Sequence, residues 1–165
     1  MGAVRRLVGL LVAALALLPA GRAGAEDETG SVAYCSHAWT DTATPGIEAT
    51  PGTSRFTSNG QKWPLYCAGT VRGARVTGRG TFGEEGTIEG ACSAGRGDVI
   101  FSFTIPTTAG LQRFRMMFEF VYGPGGGTSQ SNDFPGAFAF YPRRGDCWGA
   151  PVTEFDVVRT GVLFS

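Results

Sequence analysis

Two stretches of this chain alternate so regularly that they leave little choice of secondary structure. Between Val99 and Thr107, the residues Val99, Phe101, Phe103 and Ile105 share one side, and Ile100, Ser102 and Thr104 the other. Between Arg113 and Tyr122, the residues Phe114, Met116, Phe118, Phe120 and Tyr122 face one way. Arg113, Arg115, Met117, Glu119 and Val121 face the other. A period of two with one apolar face is the mark of a half-buried antiparallel strand, because successive side chains leave a strand on opposite sides. Beyond residue 25, no 3.6-residue apolar period persists for three turns, so the chain is not expected to build helices.

Shorter segments read the same way: Val32 to Trp39, Leu65 to Val71, Arg75 to Phe82, Thr87 to Cys92, Ala137 to Tyr141 and Val152 to Leu163. Glu84-Glu85-Gly86 and Gly95-Arg96-Gly97-Asp98 read as turns between strands, and Gly123 to Asp133 as a flexible loop. The longest weakly structured stretch is expected at 41–60, rich in Thr, Pro and Gly, with Thr44-Pro45-Gly46 and Thr50-Pro51-Gly52 as turn signals. The fold expected is all-β: an antiparallel β-sandwich, immunoglobulin-like or jelly-roll-like, of about 7–9 strands. A closed barrel is the alternative.

The N-terminus sets the chemical setting. Arg5 and Arg6 precede an unbroken apolar run from Leu7 to Leu18, followed by Pro19 and the small residues Ala23-Gly24-Ala25. That is the three-part pattern of a secretory signal peptide, with cleavage expected before Glu26. The run is too short for a membrane span, which needs about 20 apolar residues. The expected organisation is a cleaved signal at 1–25 and a single secreted domain at 26–165, monomeric and free of the membrane after cleavage. Loss of Arg5, Arg6 and Arg22 takes the net charge from 0 to −3. An acidic chain with scattered arginines does not suit nucleic acid or an anionic membrane as partner. Lys62 is the only lysine beside thirteen arginines, a bias typical of a GC-rich bacterial genome.

In an oxidising compartment Cys35, Cys67, Cys92 and Cys147 are expected as disulfides. Four cysteines allow three pairings. Cys35–Cys67 and Cys92–Cys147 are the pairs expected here: the first would tie down the loose segment, the second would staple two strand ends. No Cys-x-x-Cys pair and a single histidine argue against a metal site, and no cofactor is expected.

Few residues carry a chemical signal. His37, the lone histidine, is expected to be structural or exposed at the rim, since no Gly-x-Ser-x-Gly elbow accompanies it. Glu84, Glu85 and Glu89 are expected to be solvated acids around a turn. Arg96-Gly97-Asp98 and Arg144-Gly145-Asp146 read as ordinary turn chemistry. Ser129 to Asp133 offers oxygens but not the spaced acids of a calcium loop. Gly123 to Gly127 lacks the Lys-Ser/Thr of a phosphate loop. Trp39, Trp63 and Trp148 all lie within four residues of a cysteine. They are the candidate ligand-binding residues, with Trp63 the one expected to be exposed. No catalytic residue is assigned. The expected role is a secreted, non-enzymatic binding protein for an extracellular glycan, a protein or a small apolar molecule. The alternatives are a hydrolase of glycans or esters, using Glu89 or His37, and an extracellular protease inhibitor.

Overall fold

A computed structural model describes residues 30–165; the signal peptide expected at 1–25 lies outside them. Ten strands make up nearly all of this region. They are β1 (Val32–Ile47), β2 (Gly52–Thr57), β3 (Trp63–Val71), β4 (Ala74–Arg75) and β5 (Gly80–Ala91), then β6 (Ala94–Thr107), β7 (Gly110–Gly123), β8 (Gly126–Gln130), β9 (Gly136–Arg144) and β10 (Val152–Phe164). The expected all-β antiparallel class and both disulfides are present, Cys35–Cys67 and Cys92–Cys147.

The hydrogen bonding is continuous and does not divide the strands into the two sheets of a sandwich. β5 to β10 form a meander in which each strand pairs with the next. β10 then pairs along most of β1, from Val32↔Phe164 to Ile47↔Val152. The circuit closes from β1 back to β5 through two strands at different heights. β3 lies against Ala33–His37 of β1 and Gly80–Phe82 of β5. β2 lies against Thr42–Thr44 of β1 and Glu85–Gly90 of β5. Between those heights runs a seam where neither strand intervenes, spanning Ala38–Asp41 on β1 and Gly83–Glu84 on β5.

The strand boundaries correct four expectations of turns and loops. Glu84-Glu85-Gly86 is not a turn but the middle of β5, and Arg96-Gly97-Asp98 lies within β6; the reversal falls at Cys92–Ser93. The loop expected from Gly123 is a tight reversal at Pro124-Gly125 followed by β8, with Gly123 paired to Gly126. Proline fixes φ at the first central position, and Gly125 takes φ +83° at the second, as a type II turn requires. The segment 41–60 is not loose, since β1 continues to Ile47 and β2 follows.

The inside of the ring takes the apolar side of each alternating strand. Val99, Phe101, Phe103 and Ile105 of β6 and Phe118, Phe120 and Tyr122 of β7 are buried as their spacing implies. They meet Phe82 and Ile88 of β5, Phe56 of β2, and Phe155, Val157 and Leu163 of β10. At about 25 cal/mol per Å² of apolar surface removed from water, this aromatic filling is the main force holding the ring together. Small residues make room for it: a side chain at Gly86 would overlap the Phe56 ring, and one at Gly97 the Phe120 ring.

Candidate functional site: a polar cluster inside the ring

Alternation along β1 sends Cys35, His37, Trp39, Asp41 and Ala43 inward in succession. On β5 it sends Phe82, Glu84 and Ile88 inward, and on β10 Phe155, Val157 and Arg159. The outcome is a histidine, a tryptophan, two carboxyl groups and a guanidinium within an aromatic interior. Asp41 is fully buried, and Arg159 is only 2% exposed.

The two acids meet at the seam. The Trp39 indole Nε1–H donates to Asp41 Oδ2 at 2.7 Å and to Glu84 Oε1 at 2.9 Å. Two carboxyl groups held by one N–H inside the core disfavour each other's ionisation. Burial raises both above the ordinary carboxylate range; for Glu84 the neighbouring Asp41 charge adds to the rise, and the indole N–H opposes it. The backbone of Glu84 is held by Ser58, in the connection from β2 to β3. Ser58 N donates to Glu84 O at 3.0 Å, and Glu84 N donates to Ser58 Oγ at 3.1 Å.

Arg159 reaches in from β10, the strand paired with β1. Its Nη2 donates to Ser129 Oγ at 2.9 Å and to Phe134 O at 2.8 Å. The guanidinium carbon lies 4.1 Å from the Phe134 ring centroid and 5.3 Å from those of Phe101 and Phe118. Cation–π contacts of this kind contribute roughly 0.5–2 kcal/mol each. Burial lowers its pKa to about 10, against the upward pull of Glu84, so it stays charged at neutral pH. His37 faces it across the β1–β10 pairing and stacks on Trp39 at 4.7 Å between centroids, packed against Phe82 and Phe101. Burial, and then the Arg159 charge, hold His37 well below its usual pKa, so the ring is neutral.

This cluster borders a cavity. Its volume is about 70 Å³, several times the roughly 10–15 Å³ that one water needs. Trp39, Asp41, Glu84, Ser129 and Arg159 supply its polar wall. The rest is apolar, with Phe101, Phe118, Phe120 and Phe155 prominent. Tyr122 and both cysteines of Cys92–Cys147 also line it. Three polar atoms of the charged wall residues have no hydrogen-bond partner within the protein: Asp41 Oδ1, Arg159 Nε and Arg159 Nη1.

The three tryptophans separate. Trp39 lines the cavity. Trp63, expected to be exposed, is half-buried against the core, with its side chain beside Phe82 in the β3–β5 pairing. Trp148 is the exposed one, at 89%, on the loop between β9 and β10. His37 is buried and not at the rim. Of the three glutamates read as solvated, Glu85 and Glu89 do face outward, near Arg115 and Arg96, while Glu84 turns in. Ser129, read as a possible calcium oxygen, is committed to Arg159. Asp146 of the second Arg-Gly-Asp accepts from the backbone N–H groups of Trp148, Gly149 and Ala150, which also holds its pKa down. Arg159 and Asp41 drew no attention in the sequence, though each is a charge placed in the apolar register of its strand.

No family model matches this chain, and no curated protein or solved structure matches it.

Proposed function

We propose that this is a secreted binding protein that holds a small, mainly apolar molecule inside its ring of strands. The observation that carries the reading is the cavity: an aromatic wall, interrupted on one side by buried charged groups with unpartnered atoms. Ligand sites of this composition take their affinity from apolar burial and their orientation from a few polar groups. Two disulfides are consistent with an oxidising, extracellular setting. A glycan suits this wall less well, because a sugar presents hydroxyls around its whole rim and the polar groups here occupy one side.

Trp39 supplies the test. In a Trp63→Phe, Trp148→Phe background it is the single tryptophan. Titration with ethylbenzene is expected to change its emission saturably. Val157→Phe, which adds volume to the cavity wall, is expected to abolish that change while the protein stays folded. An emission that never changes up to the solubility limit of ethylbenzene overturns the reading.

The Asp41–Glu84 pair favours a second reading, a hydrolase of small apolar esters. A carboxylate can activate water as a general base, and a free guanidinium N–H can stabilise the oxyanion that forms. Hydrolysis of p-nitrophenyl butyrate that Glu84→Gln eliminates would establish it; hydrolysis unchanged in that variant would exclude this pair as its source.

A further inference from the structure

A covalent bond crosses one end of the ring. β1, β5, β7 and β9 finish at that end, at Ile47, Ala91, Gly123 and Arg144. Cys92 lies in the β5–β6 reversal and Cys147 in the β9–β10 connection. Two strands separate those places either way round the ring: β7 and β8, or β1 and β2. The two connections therefore lean in from opposite walls, and Cys92–Cys147 spans the end between them. Beside it the wall is notched. β8 pairs with β9 only from Gly136 to Ala139, so from Phe140 onward β9 pairs with β10 alone. Cys92, Cys147, Phe138 and Phe140 are the residues of the cavity wall that are not fully buried.

The two sides of the crossing are anchored differently. On one, Cys92 N donates to Glu48 O at 2.8 Å, and the Tyr122 hydroxyl donates to Ala91 O at 2.7 Å. On the other, the loop at 145–151 closes on itself. Asp146 Oδ1 accepts from the N–H groups of Trp148, Gly149 and Ala150, and Cys147 N donates to Ala150 O. Among the described residues, no hydrogen bond joins that loop to the Cys92 side; the disulfide does.

Resting on the apolar-ligand reading above, we infer that Cys92–Cys147 is a latch on the cavity, opened by a dithiol reductant, and that the ligand enters and leaves by this end. A thiolate of the reductant attacks one sulfur, forms a mixed disulfide and releases the other cysteine as a thiolate. The reductant's second thiol then displaces the first. The products are two cysteine thiols and the reductant's own disulfide. The loop at 145–151 is then free to leave the mouth. Cys35–Cys67 has no such role, because it joins facing positions of β1 and β3 that the strand pairing already holds together.

Trp39, the single tryptophan in the Trp63→Phe, Trp148→Phe background, reports the opening with no ligand present. Cutting the latch, by dithiothreitol or by Cys92→Ser, Cys147→Ser, is expected to raise its acrylamide quenching and the rate of ethylbenzene exchange by at least about tenfold, the ratio that about 1.4 kcal/mol of barrier represents. Cys35→Ser, Cys67→Ser should leave both as in the parent protein. Quenching that rises equally in the two double variants, or in neither, overturns the latch. Ethylbenzene that binds and exchanges equally fast with the bond intact or cut also overturns it, and leaves the cavity reading standing. If ethylbenzene binds to no form, while Trp39 becomes quenchable only when Cys92–Cys147 is cut, the latch stands and the apolar-ligand reading falls. If Cys92→Ser, Cys147→Ser does not fold, two substitutions that keep the disulfide decide. Phe140→Leu trims the notch and should raise quenching; Phe118→Leu makes the same change in the buried wall and should not. Equal quenching in those two places the opening elsewhere and overturns the inference.

Discussion

His37 and Arg159 stand directly opposite each other on β1 and β10, both facing the interior, and only one of them carries charge. A second positive charge there would be buried beside the first. His37 therefore stays neutral in the folded chain at pH values where the unfolded chain, with a pKa near 6.5, takes up a proton. The unfolded state then binds more protons, so stability falls as pH drops below 6.5. Urea midpoints measured across that range should show the loss in the wild type. The His37→Phe difference should be largest at the acid end and should fade above 6.5.

Glu84 has the opposite sign. Its folded pKa lies well above the ordinary 4.5, so the folded state holds a proton that the unfolded state has released. The protonated form's contribution is complete below 4.5 and is lost as pH rises through the folded value. Glu84→Gln keeps the shape and cannot ionise. Thermal melts should show it gaining on the wild type at pH 8, with the gap closing toward 4.5.

Trp39 ties the two acids together through a single N–H. Trp39→Phe retains most of the apolar burial and leaves both carboxyl groups short of a donor. A loss of about 1–3 kcal/mol is expected, the usual effect of stranding a buried polar group. Equilibrium unfolding in urea measures it, and a change below about 0.5 kcal/mol, typical of surface sites, would mean the indole bond contributes little.

Cys92–Cys147 joins the β5–β6 reversal to the β9–β10 connection and forms part of the cavity wall. Replacing both cysteines with serine should cost about 2–5 kcal/mol. Because the bond borders the cavity, probe affinity should drop as well. Cys35–Cys67 lies outside the cavity wall, so its removal should lower stability with little effect on affinity in the protein that remains folded.

Trp148 should be nearly silent. At 89% exposure, its replacement by alanine is expected to change stability by no more than about 0.5 kcal/mol. Most of the acrylamide quenching should be lost with it, because Trp39 is buried and Trp63 half-buried.

Local alternation made much of this architecture legible. Phe101 and Phe118 could be placed inside because their neighbours on both sides keep a period of two. Both disulfide pairs are the expected ones, though Cys35–Cys67 joins facing positions of β1 and β3 and ties down no loose segment. The site was hidden by the same kind of local reasoning. Glu84-Glu85-Gly86 looks like a polar reversal in isolation, yet Phe82, Glu84 and Ile88 share one parity, with Gly86 completing the register. Asp41 opens a Thr- and Pro-rich stretch that suggests a loop, but its parity with Trp39 and Ala43 places it inside. Arg159 lies between Val157 and Leu163 in the buried register of β10. What no local pattern reveals is the closure of β10 on β1, and that closure sets His37 against Arg159.

The closure has a consequence for assembly. Ser31 and Ser165 exchange both of their backbone hydrogen bonds, so β10, the last of the ten strands in chain order, completes the wall that β1 begins. Until β10 arrives, β1 and β9 each present an open edge of unpaired amide and carbonyl groups, a template for joining another chain. Contacts between such distant parts of a sequence form slowly. Truncation before Val152 removes the strand that seals both edges, and the shortened chain is expected to associate edge to edge instead of remaining a single closed ring.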